Sequence, residues 1–357
     1  MMLKVSFLGD ISFNNSYNEL YKKQINPFKN IELELHKSDF NIGNLECMAK
    51  GDFGENTLKH PRLYTEKNTL NLLQYLNMGV VSLAHNHAYD NLKDGFEKTI
   101  ECLKSQNINF LGAATDEKTA QTELIVEEHG IKLGLLNYVT ENTNPKMPND
   151  AEVYLNYFEI EKIIKDIKDL KDKVDHIILL LHWGGRVEEG FYPDFNQPKI
   201  ARKLIDAGAD LIIGSHSHTV QPYEVYKGKH IFYSIGNFCF DDIIQDEELF
   251  EIGRFRKRKG ILPCITFSKD TYSVDIKHII NENCNIKLNN SQLKKLKMTW
   301  RNLLFKAVKK MPILWKIYYF HLKKIVPIKM FFIEANEGVL KKIINLDFKR
   351  VLRYIKK

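Results

Sequence analysis

The sequence has few cysteines, and none of them forms a closely spaced pair. Five occur in 357 residues, which is an odd number, and no two of them show the two-residue spacing typical of redox or zinc motifs. Disulfide-rich secreted domains carry more cysteines, in even numbers. We therefore expect free thiols in a reducing compartment.

Long apolar runs are also missing. Lys316 and Lys329 interrupt the two most apolar stretches, near residues 313–320 and 325–333, whereas a membrane-spanning helix needs about 20 mostly apolar residues. The apolar stretch before Asp10 is too short for an export signal. We expect a cytoplasmic protein that does not cross a bilayer.

Glycine and proline number only 19 and 10, too few for a collagen-like or low-complexity chain. The length suits one large α/β domain with an appendage. Charge divides the chain unevenly, because the residues after 290 include 18 basic and 3 acidic ones, a net of +15, whereas the first 290 carry −8. This asymmetry predicts a domain at 1–285 and a basic extension at 286–357.

Short β-rich runs alternate with helical patterns over the first 285 residues, as in an α/β domain. The predicted strands are 3–9, 39–45, 79–84, 108–111, 131–138, 176–181, 211–214 and 230–235. The predicted helices, with apolar residues three and four apart, are 70–76, 95–106, 159–172 and 197–207.

Polar residues able to bind a metal follow directly on five of the predicted strands. They are Asp10, Asn44 with Glu46, the run His85-Asn86-His87, His182, and the pair His216 and His218. The carboxyl ends of strands in an open α/β sheet line one crevice, so these side chains can converge. Each one alone is more often a turn residue or a helix cap. Five coincidences in one chain favour a shared site.

The side-chain types at these positions fit one chemistry. Carboxylates, an amide and imidazoles, without cysteine, suit divalent ions such as Mn²⁺, Fe²⁺ or Zn²⁺. Two ions that share a carboxylate can polarise a phosphoryl oxygen and lower the pKa of a bound water. The residues therefore predict hydrolysis that depends on divalent metal ions, with two ions expected.

Several segments resemble the CapA family, the bacterial capsule or poly-γ-glutamate synthesis proteins, which are similar to calcineurin-like metallophosphoesterases. The segments are 81–90 (VSLAHNHAYD), 182–184 (HWG), 208–221 (GADLIIGSHSHTVQ) and 233–241 (YSIGNFCFD), preceded by Gly9-Asp10 and 44–46 (NLE). The resemblance covers about residues 3–280. It implies a four-layered αββα metallophosphoesterase-like sandwich with a dinuclear metal site at the strand ends. The basic helical C-terminal extension predicted from the charge pattern lies beyond it.

The resemblance also implies a role for each matching residue. Asp10 resembles the first metal carboxylate, and Glu46 stands in the place of the bridging one. In the pair Asn86 and His87, the amide is expected to bind metal and the imidazole to face the substrate as a catalytic residue. The remaining expected imidazole ligands are His182, His216 and His218.

Asp90 follows His87 by three residues and has two interpretations. It can orient the imidazole and so belong to the catalytic set, or it can cap the next helix. We favour the first.

Three positions depart from the pattern of the similar families. Ser12 stands where metallophosphoesterases usually have a His, which leaves one metal position short of a ligand. His85 stands where the capsule family commonly has Asn. The loop after the HWG segment carries Arg186, Glu188 and Glu189 in place of an acidic–aromatic pair, so we expect it to bind a different substrate.

The basic extension has an amphipathic pattern. A helix is predicted from Ser291 to Met311 and a second from Ile313 to Val326, each followed by a proline. Basic helices rich in aromatic residues suit an anionic membrane surface, here through residues 291–357 at the inner face of the cell membrane. The alternative is an appendage that packs on the α/β domain. No known RNA-binding motif is visible, so we expect no specific nucleic-acid partner.

Two functions remain open. The first is a metal-dependent hydrolase of a phosphoester or related bond in capsule or extracellular polymer synthesis, with an anionic polymer or a phosphorylated precursor as substrate. The second is a non-catalytic binding or scaffolding component that keeps the same fold. The nearly complete ligand set favours the first, whereas Ser12 keeps the second open. The expected partner in both cases is the capsule biosynthesis machinery.

Overall fold

The computed structural model describes residues 2–245, 248–251, 258–289, 301–306 and 308–325. The strands, numbered in chain order, are β1 Leu3–Ile11, β2 Phe40–Leu45, β3 Met48–Ala49, β4 Tyr64–Thr65, β5 Met78–Ser82, β6 Asn109–Leu111, β7 Ala113–Ala114, β8 Leu124–Glu128, β9 Ile131–Val139, β10 Tyr154–Leu155, β11 His176–His182, β12 Leu211–Ser215, β13 Tyr223–Tyr226, β14 Lys229–Phe232, β15 Asn237–Cys239, β16 Ile243–Gln245, β17 Glu248–Glu251, β18 Lys259–Phe267, β19 Tyr272–Glu282 and β20 Asn285–Leu288.

The α-helices are α1 Ser16–Lys22, α2 Glu32–Leu35, α3 Leu92–Ser105, α4 Glu117–Ala120, α5 Ile160–Leu170, α6 Gln197–Ala207 and α7 Pro312–Phe320. Three 3₁₀ helices cover Lys67–Leu76, Glu141–Thr143 and Gly185–Val187, and a π-helical turn covers His321–Ile325.

Two large sheets form the centre of the fold. The first sheet has the strand order β20-β19-β18-β1-β2-β5-β6, with β15 paired to β1, and the second sheet has the order β13-β14-β12-β11-β9-β8. Strands β1, β2, β5 and β6 of the first sheet are parallel to one another. In the second sheet β9, β11, β12 and β14 are parallel. Each sheet therefore gathers the loops that follow its parallel strands at one end.

Apolar side chains of both sheets meet in one buried cluster. Val5 and Phe7 of β1 lie in this cluster together with Ile178 of β11 and Ile213 of β12. Removing these side chains from water provides the main force that holds the two sheets face to face. The apolar runs that predicted strands reflect this position, because such strands are covered on both sides.

Helices cover the outer face of each sheet. Leu8 of β1 belongs to a second buried cluster with Leu73 of the long 3₁₀ helix and Leu103 of α3. On the second sheet, Tyr138 Oη of β9 donates a hydrogen bond of 2.7 Å to Asp166 of α5. The layers therefore run helix, sheet, sheet, helix, and the predicted αββα sandwich is confirmed.

All eight predicted strands and all four predicted helices are present, with small shifts of their ends. The strand predicted at 79–84 ends at Ser82, so His85 lies in the loop beyond it. The helix predicted at 70–76 is part of a 3₁₀ helix. The sequence analysis missed the long hairpin of β18 and β19. Strand β19 is only half-buried over most of its length and carries Asp275 and Lys277, so it shows no continuous apolar run.

The first sheet continues past the boundary that we place near residue 285, because β20 pairs with β19. The chain forms two compact units, Met1–Met298 and Thr299–Lys357. All five cysteines lie in the described part of the chain and are free thiols, as expected.

Part of the predicted tail helices can be compared with the structure. Residues 291–300 and the proline at 327 lie outside the described residues, whereas residues 301–306 are helical. Pro312 occupies the start of α7, where a missing amide hydrogen costs no helical hydrogen bond. Within the described ranges, no helix combines the length and the apolar character needed to cross a membrane.

Asn137 of β9 ties the two sheets together beside the loop that follows β5. Its Oδ1 accepts a hydrogen bond of 2.7 Å from the Ala84 amide, and its Nδ2 donates one of 3.0 Å to the Leu180 carbonyl. We predict that Asn137→Ala lowers the free energy of unfolding by about 2–4 kcal/mol, because a buried donor and a buried acceptor lose their partner. Chemical denaturation measures this loss.

Asn109→Ala on β6 is the matched control, because Asn109 is exposed. It should change the unfolding free energy by less than about 0.5 kcal/mol. Equal losses in the two variants would show that the bridge between the sheets contributes nothing specific.

Candidate metal centre

Five chain segments bring polar side chains to the strand ends of both sheets. Asp10 is near the end of β1, and Glu46 comes directly after β2. Asn86 lies in the loop after β5, and His182 is the last residue of β11. The loop after β12 carries His216 and His218. All of these side chains are buried.

The first group of candidate ligands is Glu46, His182 and His216, whose ligand atoms all lie within 4.8 Å of one another. His182 Nε2 lies 3.7 Å from Glu46 Oε1 and 3.1 Å from His216 Nδ1. Asn86 joins this group, because its Oδ1 lies 2.8 Å from the same His182 nitrogen. One carboxylate, one amide and two imidazoles therefore face a common point.

The second group is Asp10, Glu46 and His218, with the same spread of 4.8 Å. His218 Nδ1 lies 3.2 Å from Asp10 Oδ2, and His218 Nε2 lies 3.7 Å from Glu46 Oε1. Glu46 Oε1 is thus close to both groups. This is the position expected of a carboxylate shared between two ions.

The backbone at His216 and His218 is strained. His216 has φ 88° and His218 has φ 55°, which is a region that residues other than glycine adopt rarely and at a cost of about 1–3 kcal/mol. The backbone amide of His216 donates to Asp10 Oδ2 at 3.3 Å, and this contact helps to hold the loop over β1.

Two buried atoms support the presence of a cation. Glu46 Oε1 and His216 Nε2 have no hydrogen-bond partner among the described residues, and leaving such buried polar atoms unpaired is costly. A divalent ion bound by these residues would satisfy an oxygen and a nitrogen that otherwise lack one. The donor set, with carboxylate, amide and imidazole, suits Mn²⁺, Fe²⁺ or Zn²⁺. The residues present therefore fit a bound divalent metal ion.

The electrostatics of the centre point the same way. Burial, together with the neighbouring Asp10 charge, raises the pKa of Glu46 well above its ordinary value. Burial lowers the pKa of His182 well below its usual range and that of His216 to about 4. The imidazoles are therefore neutral and have lone pairs to offer, which is the form that binds metal.

His87 lies at the edge of this centre and is held by Asp90. Its Nδ1 is 2.5 Å from Asp90 Oδ2, and neither group of candidate ligands includes it among the described residues. The N-terminal cap position of α3 is taken by Asn91. Asp90 is thus placed to orient the imidazole rather than to cap α3, and its role in the catalytic set stays a prediction.

The positions that depart from the family pattern have defined contacts. Ser12 Oγ donates to Asn14 Oδ1 at 2.9 Å, so a hydroxyl group stands where an imidazole would complete the second group. His85 Nδ1 accepts from the His87 amide at 3.1 Å. The negative charge of Glu188 acts on His216, so the loop after β11 reaches the rim of the centre.

Three supporting residues lie around the ligands. Asn44 Nδ2 donates to Asp10 Oδ1 at 2.9 Å. Asn237 is aligned with Asp10 in the parallel pairing of β15 with β1, and its Oδ1 lies 2.9 Å from His218 Nδ1. Asn44 is recognisable in the sequence as a strand-end residue, whereas Lys59, whose ammonium lies 3.1 Å from Asp90 Oδ1, is not. No sequence signal marks Lys59, because it sits in a loop far from any motif.

The comparisons with known proteins agree on one family. The family described as "Bacterial capsule synthesis protein PGA_cap" matches residues 4–242. The "PGA biosynthesis protein CapA" of Bacillus subtilis is 29% identical over 253 residues, which are 67% of this chain and 64% of that protein. The "Capsule biosynthesis protein CapA" of Bacillus anthracis is 26% identical, over 67% of this chain and 60% of that protein. The match therefore spans less than two thirds of these relatives.

A solved structure with partial similarity is a 5′-nucleotidase precursor from Thermus thermophilus. It is 12% identical, with a TM-score of 0.42, over 94% of this chain and 60% of that one.

We predict that the purified protein carries one or two divalent transition ions and that Glu46→Gln removes more metal than His216→Ala. Glu46 belongs to both ligand groups, whereas His216 belongs to one. Elemental analysis after mild purification measures the metal content. His129→Ala is the control, because His129 is an exposed histidine paired with Asp39 on the surface.

One result would contradict the interpretation that two ions bind at this centre. Wild-type content below about 0.2 ions per chain, unchanged in His216→Ala, would mean that these residues do not form a metal site.

Proposed function

Because this chain belongs to the PGA_cap family of bacterial capsule synthesis proteins, we propose that it is a metal-dependent hydrolase of a phosphoester or a related bond. The observation that carries this proposal is the pair of buried ligand groups that share Glu46. A purely structural site gains nothing from a second group of ligands around the same carboxylate. Two ions side by side are typical of enzymes that hydrolyse phosphoesters.

The residues that would hold the ions are those of the two ligand groups, together with Asn86. Divalent ions bound there would supply Lewis acidity and a water of lowered pKa. The protein excludes bulk solvent, since every candidate ligand is buried. It also fixes the orientation of the ligands, because Asn44 Nδ2 donates to Asp10 and Asn237 Oδ1 accepts from His218 Nδ1.

His87 is the residue that we assign to proton transfer. Burial lowers the pKa of its imidazole, and Asp90 holds its Nδ1 at 2.5 Å. An ionised carboxylate can only accept, so Nδ1 carries a hydrogen and Nε2 is the nitrogen that can take up or deliver a proton. A positioned imidazole of this kind is the commonest acid–base group in enzymes.

The substrate that we propose is an anionic polymer or a phosphorylated precursor of one. This proposal is supported by the similar proteins of the two Bacillus species, which are described as capsule or PGA biosynthesis proteins. The capsule biosynthesis machinery is accordingly the proposed partner. We place the protein in the cytoplasm, at the inner face of the cell membrane.

A non-catalytic scaffolding function is the second candidate. Ser12 favours it, because its hydroxyl group is bonded to Asn14 and leaves the second ligand group with one imidazole. Binding a single ion would be enough to stabilise a scaffold without hydrolysis.

An anionic membrane surface is a further proposed partner. The described tail residues, 301–306 and 308–325, contain basic residues and no acidic ones. Ile313, Ile317 and Phe320 of α7 are each about 60% exposed. Exposed apolar side chains beside lysines are typical of helices that lie in the interface of a bilayer.

We predict that His87→Asn keeps the metal and the fold but lowers turnover of an activated phosphoester by about 10²- to 10⁴-fold, because acid–base assistance is lost. Asn86→Ala and His216→Ala should lose metal and activity together. Steady-state kinetics and elemental analysis on the same preparations separate the two effects.

Loss of metal in His87→Asn would make His87 a ligand and contradict its assigned role. If the wild type hydrolyses no ester with Mn²⁺, Fe²⁺ or Zn²⁺ supplied, the scaffolding function becomes the better explanation.

We predict that Lys310→Glu/Lys316→Glu/Lys324→Glu in the full chain lowers binding to vesicles with anionic lipid about a hundredfold or more. Each Lys near such a surface contributes about 1 kcal/mol. Co-sedimentation with vesicles of phosphatidylserine and phosphatidylcholine measures the binding, which should also weaken with added salt.

The matched control reverses three exposed lysines of the first unit, Lys22, Lys165 and Lys227. If both triple variants sediment like the wild type, the tail does not bind lipid.

A further inference from the structure

Lys59 is an almost completely buried lysine next to the candidate metal centre. Its side chain is 3% exposed, and lysine is rarely so buried without a partner. Its ammonium forms an ion pair of 3.1 Å with Asp90 Oδ1, and it donates a hydrogen bond to the backbone carbonyl of Asn86. Lys59 therefore contacts both the ligand Asn86 and the residue that holds His87.

Asp90 connects the ammonium of Lys59 to the imidazole of His87. Its Oδ2 accepts a hydrogen bond of 2.7 Å from the Leu63 amide and lies 2.5 Å from His87 Nδ1. The carboxylate, which is 1% exposed, is thus held at three points. Without Lys59, only Oδ2 would keep its partners, and the carboxylate could rotate about the Cβ–Cγ bond of Asp90.

We propose that Lys59 is the positioning residue of the Asn86–His87 pair. It fixes the His87 ring and its tautomer through Asp90, and it fixes the Asn86 backbone through the carbonyl. Lys59 does not touch the substrate in this arrangement. The assignment rests on the proposed role of His87, but the spectroscopic test described below does not depend on turnover.

The charge balance supports this assignment. Burial alone would raise the pKa of the Asp90 carboxyl group, but the charge of Lys59, the interaction with His87 and the Leu63 amide bring it below its ordinary value. Asp90 therefore stays a carboxylate that only accepts hydrogen bonds, and the hydrogen on His87 stays on Nδ1. Buried partners behind a functional histidine set its orientation in the same way in metal sites.

The first test is ¹⁵N NMR of protein labelled at histidine, with the His87 resonances assigned by their loss in His87→Asn. We expect the wild type and Lys59→Arg to show a single His87 tautomer with a hydrogen-bonded proton on Nδ1. In Lys59→Met that proton signal should weaken or disappear, with both tautomers present. Lys67→Met is the matched control, because Lys67 forms an exposed ion pair of 2.8 Å with Glu101.

The second test is kinetic. With an activated phosphoester, Lys59→Met should lower kcat by about 10- to 100-fold, as expected for loss of a residue behind a functional group. KM should stay within about twofold, because Lys59 makes no substrate contact. Lys59→Arg should restore a large part of kcat, and the metal content of both variants should equal that of the wild type.

Lys59→Gln serves as the comparison if Lys59→Met does not fold, because glutamine keeps a polar group without the charge or the reach of lysine. An unchanged His87 signal in a folded neutral variant overturns the proposal. Loss of metal with the His87 signal retained also overturns it, because Lys59 would then act on Asn86 alone. If the wild type shows no turnover, the proposed function fails, whereas the NMR result still decides the role of Lys59.

Discussion

The buried carboxylate of Glu46 is the constraint on which the rest of the centre depends. It is fully buried, its Oε1 has no hydrogen-bond partner among the described residues, and it lies beside a second carboxylate, that of Asp10. Two such groups in a low-dielectric interior need positive charge or a shared proton. The imidazoles of His182 and His218 each place a ring nitrogen 3.7 Å from Glu46 Oε1. The divalent ion that we propose for this site would supply that charge.

The sequence was sufficient to predict which residues assemble at this centre. Asp10, Glu46 and His182 each follow a stretch rich in apolar residues, and such stretches become parallel strands when both of their faces are covered. Parallel strands then bring their last residues to one end of a sheet. The αββα layers followed from the family resemblance and are present in the structure. The metal-binding role of these residues stays a prediction.

Other features could not be read from the sequence, because they depend on contacts between distant segments. Lys59 and Asn137 look like ordinary polar residues in the sequence, and only the packing of the two sheets shows that both are buried beside the same loop. Strand β19 was missed for a different reason, since the charged side chains of Asp275 and Lys277 break its apolar pattern. Burial of a polar side chain is a property of the finished fold, and no local pattern records it.

The parallel pairing of β15 with β1 has a consequence for the biosynthesis of the protein. Asp10 is aligned with Asn237, which lies 227 residues later in the chain. Ribosomes release a chain from its N-terminus, so the first carboxylate emerges long before the amide that supports His218. A nascent chain therefore cannot form the complete centre until most of the α/β unit has been translated. The metal loading that we propose would therefore follow the synthesis of β15.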